Sequence, residues 1–132
     1  MEKPIVLSYA SCGTCKKALS WLASRGVEVE VRPIVDKPPL PRELDQWIPA
    51  SGLPVRRWLN TSGQSYRALG KATFDSATDT RIAALLAGDG KLVKRPVLVH
   101  RGEGGSLRVL VGFDEEAYAS LFPASGQPKA KP

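Results

Sequence analysis

The chemistry-bearing residues of this chain are concentrated in one short run, Ser11-Cys12-Gly13-Thr14-Cys15-Lys16-Lys17-Ala18, which holds its only two cysteines. A Cys-x-x-Cys pair at the junction of a strand and a helix can run thiol–disulfide exchange. The free N–H groups and positive dipole end of the helix favour thiolate over thiol at the first sulfur. Cys12 is therefore the expected nucleophile. Lys16 and Lys17 add positive potential one turn on, and Cys15, inside the first turn and more shielded, is placed to resolve a mixed disulfide. The competing readings are half of a zinc site or two inert thiols. A structural zinc site takes four ligands from Cys and His, and His100 is the only histidine, so no metal is expected.

A second constellation is Lys94-Arg95-Pro96, just ahead of an apolar run. The Arg95 guanidinium could hold an oxyanion or stabilise the Cys12 thiolate. Only about 5% of X-Pro bonds in folded proteins are cis, so the residues alone favour an ordinary strand-starting proline beside a solvated basic pair. Asn60-Thr61-Ser62-Gly63 reads as a turn that can double as a polar lip, with Tyr66 and Arg67 near it. Trp21, Trp47 and Trp58 fall in helical stripes and read as packing, and His100 ends a predicted strand.

The elements that must position these groups follow from periodicity. Residues 3–9 (KPIVLSY) are a short β-branched run ending in a turn, the first strand. Cys15, Ala18, Leu19 and Leu22 recur at helical spacing, with Gly26 at the expected C-cap. Val27, Val29 and Val31 alternate with charged residues as a half-buried second strand, interrupted by Pro33 and the KPPLP stretch. From about residue 41 to 88 the periodicity is helical. Leu40, Leu44, Trp47 and Ile48 form one stripe closed by Gly52; Val55, Trp58 and Leu59 form another; Ile82, Leu85 and Leu86 form a third ended by Gly88. Residues 96–100 (PVLVH) and 107–111 (LRVLV) are strands around a Gly-rich turn, and Asp114 caps a last helix running to about Phe122. The order β-α-β, helical insertion, β-β-α predicts an α/β fold with a thioredoxin-like mixed sheet. Strands one and two would be parallel across a right-handed crossover, with the hairpin antiparallel beyond them.

Composition sets the outer limits. At 132 residues, 42% hydrophobic and 24% charged, the chain is read as one globular domain over residues 1–122 with a flexible Pro/Lys tail at 123–132. No apolar run approaches the roughly 20 residues that cross a bilayer, and the first is too short for a signal-peptide core, so a cytoplasmic protein without a membrane partner is expected. The net charge is +6, but Lys129 and Lys131 of the tail supply part of it. The remaining cations are scattered and not interleaved with aromatics, which argues against direct nucleic-acid binding.

Taken together, SCGTCKKA, Leu59-Asn60-Thr61, Tyr66-Arg67-Ala68-Leu69-Gly70, Lys94-Arg95-Pro96 and Val111-Gly112-Phe113 resemble the arsenate reductase ArsC family, including its Spx/MgsR and YffB-like branches, nearly end to end. The resemblance implies a thioredoxin-like fold with a helical subdomain, Cys12 as the active cysteine and Arg95 before a cis Pro96. It gives a catalytic set of Cys12, Cys15 and Arg95, with Gly13, Thr14, Lys16, Asn60 and Pro96 contacting substrate. It also implies glutathione as a co-substrate, with no bound cofactor, and a small thiol or glutaredoxin as partner. The arsenate-reducing branch carries further arginines where this chain has Leu59-Asn60-Thr61 and Leu110-Val111-Gly112, leaving Arg95 the only matched arginine. Two readings stay open: a thiol-dependent reductase, and an Spx-like redox switch that binds RNA polymerase.

Overall fold

The computed structural model describes residues 3–123; the expected tail lies outside them except for Pro123. A four-stranded sheet runs in the order β2-β1-β3-β4, built from β1 (Ile5–Ser8), β2 (Glu30–Pro33), β3 (Val97–Arg101) and β4 (Leu107–Val111). β1 and β2 are parallel, in register from Ile5 opposite Glu30, while β1–β3 and β3–β4 are antiparallel. This is the thioredoxin-like mixed sheet expected from the element order.

The period-two alternation of the strands divides the core between the two faces. Val6 and Leu98 point to one face, where they pack with Ala18 and Leu22 of α1 (Gly13–Ser24) and Tyr118 of α6 (Glu115–Leu121). Leu7, Val97, Val99 and Val109 point to the other, beneath Leu44 and Trp47 of α2 (Pro41–Ser51), Trp58, Phe74 of α4 (Lys71–Asp75), and Ile82 and Leu86 of α5 (Asp79–Gly88). Trp58 and Phe74 are both buried, and truncating a side chain of that size typically costs about 3–5 kcal/mol. Trp47 and Trp58 are core, as expected, and Trp21 packs edge-on against Tyr118 and Phe113 under the Arg25 guanidinium.

Three expectations shift. The second strand starts at Glu30 because the chain leaves α1 through Gly26, whose φ of 72° allows the Val27 N–H to reach the Leu22 carbonyl. Residues 26–29 are used in that exit. Val27 and Val29 still pack on the α1 face, but Val31 lies on the open edge strand and is 52% exposed. Within the insertion, Val55–Trp58 is a 3-10 turn rather than a helix, and Leu59 leaves it to form an antiparallel bridge with Val93. Two short helices, α3 (Gln64–Leu69) and α4, were not expected. α3 buries no residue fully, so it carries no apolar stripe for periodicity to detect. Among the described residues, no helix is long and apolar enough to cross a membrane.

Two contacts join the layers. Arg32 of β2 donates from Nη1 and Nη2 to both carboxylate oxygens of Glu43 at 2.9 and 2.8 Å, and also donates to the Lys37 and Pro38 carbonyls. Glu43 Oε1 also accepts from the Leu40 N–H at 2.9 Å, capping α2. Gly90 sits against the β2–α2 connection so closely that a Cβ there would collide with the Ile34 carbonyl.

Burial opposes ionisation of Glu43, but the Arg32 hydrogen bonds and the Leu40 N–H outweigh it and hold its carboxyl below the usual value. A depressed carboxylate contributes stability that is present above the ordinary Glu range and is lost as pH falls through the folded-state value. Glu43→Gln is therefore expected to cost about 1–2 kcal/mol at neutral pH in urea unfolding, with the gap to wild type closing on acidification. Gly90→Ala is expected to lower stability by about 1–3 kcal/mol through overpacking, measured the same way.

Candidate functional site

Ser8 ends β1, and the Cys12 N–H folds back onto the Tyr9 carbonyl at 3.0 Å, so that Cys12 arrives as the N-cap of α1. Its Sγ takes the place of the usual oxygen cap and accepts from the Cys15 N–H at 3.4 Å. Cys15 lies one turn in and is fully buried, and its Sγ accepts from the Tyr9 N–H at 3.4 Å. Both sulfurs are free thiols.

The two thiols are tuned in opposite directions. Partial burial opposes the thiolate of Cys12, but the N–H and side chain of Cys15, the Arg95 guanidinium and the Thr14 N–H together hold its thiol below the ordinary value. Burial pushes Cys15 up; the Tyr9 N–H and Ser8 hydroxyl work against that rise, and the neighbouring Cys12 sulfur adds to it.

Cys12 opens into a cleft of about 590 Å³ lined by Thr14, the Asn60–Gly63 turn, Lys94, Arg95 and the Val111–Asp114 segment. The Arg95–Pro96 peptide is cis, and the Pro96 carbonyl accepts from Gly112 N–H at 2.8 Å, fixing the far wall. The lip is tied to the approach to β3: Asn60 N–H donates to the Leu92 carbonyl and Lys94 N–H to the Trp58 carbonyl, both at 2.8 Å. Asn60 Nδ2 and Arg95 Nη1 both reach the Lys91 carbonyl, at 3.3 and 3.4 Å. A Cβ on Gly63 would lie 2.5 Å from Asn60 Nδ2, so the amide takes its present place because the turn carries glycine there and would have to shift for a larger residue.

Of the residues picked from the sequence, Cys12, Thr14, Asn60 and Arg95 line the cleft, and Cys15 lies buried behind it. Gly13 and Lys16 do not line it. They are exposed at the start of α1, whose inward stripe is Cys15, Ala18 and Leu22. Pro96 is buried one residue beyond Arg95 and meets the site through its backbone. Arg67 braces the lip by donating to the Ser62 carbonyl at 2.9 Å, and Tyr66 stacks on Phe74. His100 packs on Phe122, and burial, then Arg108, hold it below its usual value. Among the described residues no three His, Cys, Asp or Glu side chains gather as a metal site. Sequence reasoning missed Tyr9, whose ring lies 4.8 Å from the Arg95 guanidinium carbon and whose spacing carries no motif.

Against known proteins, the model of the ArsC family matches residues 7–121. The chain belongs to the ArsC family. It is 40% identical to the uncharacterised protein YusI of Bacillus subtilis, over 83% of this chain and 90% of that protein. The crystal structure of an ArsC-family-related protein from Bacteroides fragilis superposes with a TM-score of 0.83 at 43% identity, covering 91% of this chain and 98% of the other. Relatives with named roles divide: the regulatory protein MgsR of Bacillus subtilis is 28% identical (75% of this chain, 79% of MgsR), and an arsenate reductase of Escherichia coli 31% (67% of this chain, 62% of the reductase).

Both segments in which this family member lacks arginine do face the cleft, through Asn60 and through Val111 and Gly112. The cations on its wall are adjacent in sequence, Lys94 and Arg95.

Alkylation separates the two sulfurs. Iodoacetamide reacts with thiolate, so Cys12 is expected to be modified several-fold faster than Cys15 at neutral pH and to stay reactive below the pH at which an ordinary thiol is quenched. Equal rates for the two, read by peptide mass mapping, would contradict the opposed tuning.

Proposed function

We propose that this chain is a thiol-dependent oxidoreductase in which Cys12 is the nucleophile and Cys15 the resolving thiol. The observation that carries this reading is the opposed setting of two sulfurs one helical turn apart: Cys12 capping the helix beside Arg95 at a cleft, Cys15 buried behind it. The Cys12 thiolate attacks a disulfide sulfur, forming a mixed disulfide and releasing the first thiolate. Cys15 then gives its proton to solvent and attacks Cys12 Sγ, forming the Cys12–Cys15 disulfide and releasing the second thiolate. Two electrons pass from the protein to the substrate, and glutathione or glutaredoxin in a reducing cytoplasm would return them. Thr14 and Asn60 line the space for the substrate, with Gly13, Lys16 and Pro96 as further candidate contacts, and Arg95 supports an anionic adduct. Arsenate is one candidate acceptor, drawn from the named reductase relatives. A tetrahedral anion calls for several converging donors, and the side-chain cations here are Lys94 and Arg95.

The MgsR and Spx relatives support a second reading, a redox switch in which the Cys12–Cys15 disulfide alters a surface that contacts RNA polymerase.

The deciding assay follows NADPH consumption through glutathione reductase with glutathione and glutaredoxin, offering arsenate or hydroxyethyl disulfide as acceptor. The expected result is turnover with at least one acceptor that falls to background in Cys12→Ser. Arsenate-dependent turnover would mean that Arg95 with Lys94 and backbone donors suffices. No turnover with either acceptor, despite ready formation of the internal disulfide, would overturn the enzyme reading. In that case Cys15→Ser should abolish the oxidant response of polymerase binding, whereas an enzyme resolved by glutathione keeps its activity in that variant.

A further inference from the structure

Tyr9 touches both cysteines and Arg95 without lining the cleft. Its carbonyl accepts from the Cys12 N–H at 3.0 Å and its N–H donates to Cys15 Sγ at 3.4 Å. Tyr9 packs against the core shared by the sheet and the helical insertion, and the Arg95 guanidinium carbon lies over its ring, 4.8 Å from the centroid. That guanidinium is otherwise lightly held. Nη1 reaches the Lys91 carbonyl at 3.4 Å, the long end of a hydrogen bond, and Nε is buried without a hydrogen-bond partner. No carboxylate is ion-paired with Arg95 among the described residues.

An arginine beside a reactive sulfur must be held without being neutralised. A carboxylate would fix it but cancel its field at the sulfur, whereas an aromatic face attracts the cation and leaves its net charge intact. We infer that Tyr9 is a positioning residue, its ring face holding the uncompensated guanidinium of Arg95 where it acts on Cys12. This rests on the reading of Cys12 as the reacting thiolate.

The test is the ultraviolet titration of thiolate absorbance together with the rate of iodoacetamide alkylation against pH. It is run on the full chain carrying Cys15→Ser, so that Cys12 alone reports. Tyr9→Leu keeps the backbone hydrogen bonds and removes the ring. It is expected to move the Cys12 titration to higher pH and slow alkylation near neutrality about threefold, the effect an exposed to partly buried cation–π contact supports. Tyr9→Phe should restore the wild-type profile. With Arg95→Met present, Tyr9→Leu should cause no further slowing. Arg95→Lys keeps the charge but loses the planar stack, and it should reproduce the Tyr9→Leu shift; it supplies the same test if Tyr9→Leu fails to fold. An unchanged profile in Tyr9→Leu, or equal slowing with and without Arg95, overturns the inference. So does an Arg95→Lys profile that matches wild type. A parent protein whose Cys12 titrates as an ordinary thiol would instead overturn the underlying reading of Cys12, which separates the two failures.

Discussion

A sulfur at a helix N-cap gains from the helix only if the first turn is held still, and here that turn is held from inside. Cys15, Ala18 and Leu22 form one buried stripe that presses α1 against Val6 and Leu98 of the sheet, with Tyr118 closing the far side. The stripe begins with the second cysteine itself. One residue therefore serves as the first packing contact of α1, through its Sγ as the acceptor for the Tyr9 N–H, and through its backbone N–H as the donor to the capping Cys12 Sγ. Burying Cys15 raises its pKa while bringing three donors around Cys12 that lower its own. Much of the asymmetry between the two thiols thus follows from packing the helix, and the Arg95 guanidinium adds to it at Cys12.

The second half of the site depends on how the insertion returns to the sheet. Leu59 and Val93 pair as a single antiparallel bridge, flanked by Asn60 N–H to Leu92 and Lys94 N–H to Trp58. These bonds span residues more than thirty apart in sequence, and they set the Asn60–Gly63 turn opposite Arg95. Trp58, buried just before the bridge with its Nε1 donating to Ser51 Oγ, locks the insertion to its own first helix. The cleft is therefore a seam between two packed layers, and its width follows from a backbone ladder rather than from side chains that could swing away.

What could be read from the sequence divides along physical lines. Strong local signals located β1, α1, α2, α5, β4 and α6: an apolar stripe at the right period, a capping residue such as Asp114, or a glycine stop such as Gly26. The strand order followed from connectivity. Cys12 and Cys15 were legible because residue type and spacing carry chemistry, whereas Arg95, Asn60 and the cis bond before Pro96 were legible as parts of a site only through the family resemblance. The start of β2 was missed because alternation cannot separate a helix exit, where Val27 and Val29 pack inward, from the strand that follows. α3 was missed because it buries nothing fully, and Tyr9 because a contact between a strand-end ring and an arginine 86 positions later leaves no periodic trace.

The electrostatic economy of the cleft bears on what it can take. A site meant to grip a doubly charged tetrahedral anion surrounds it with converging forks, each desolvated and each needing its own support. Here Asn60, Val111 and Gly112 stand on the walls where further arginines would go, and the cationic side chains of the lining, Lys94 and Arg95, come from a single backbone segment. Arg95 also lies against a ring and near the sulfur, where its field is spent on the thiolate before any ligand arrives. Such an arrangement favours a sulfur made reactive in advance over an anion gripped from several sides. Discrimination then rests on whichever acceptor brings an atom open to attack within reach of Cys12, which is the property of thiol exchange that needs the fewest contacts to the remainder of the substrate.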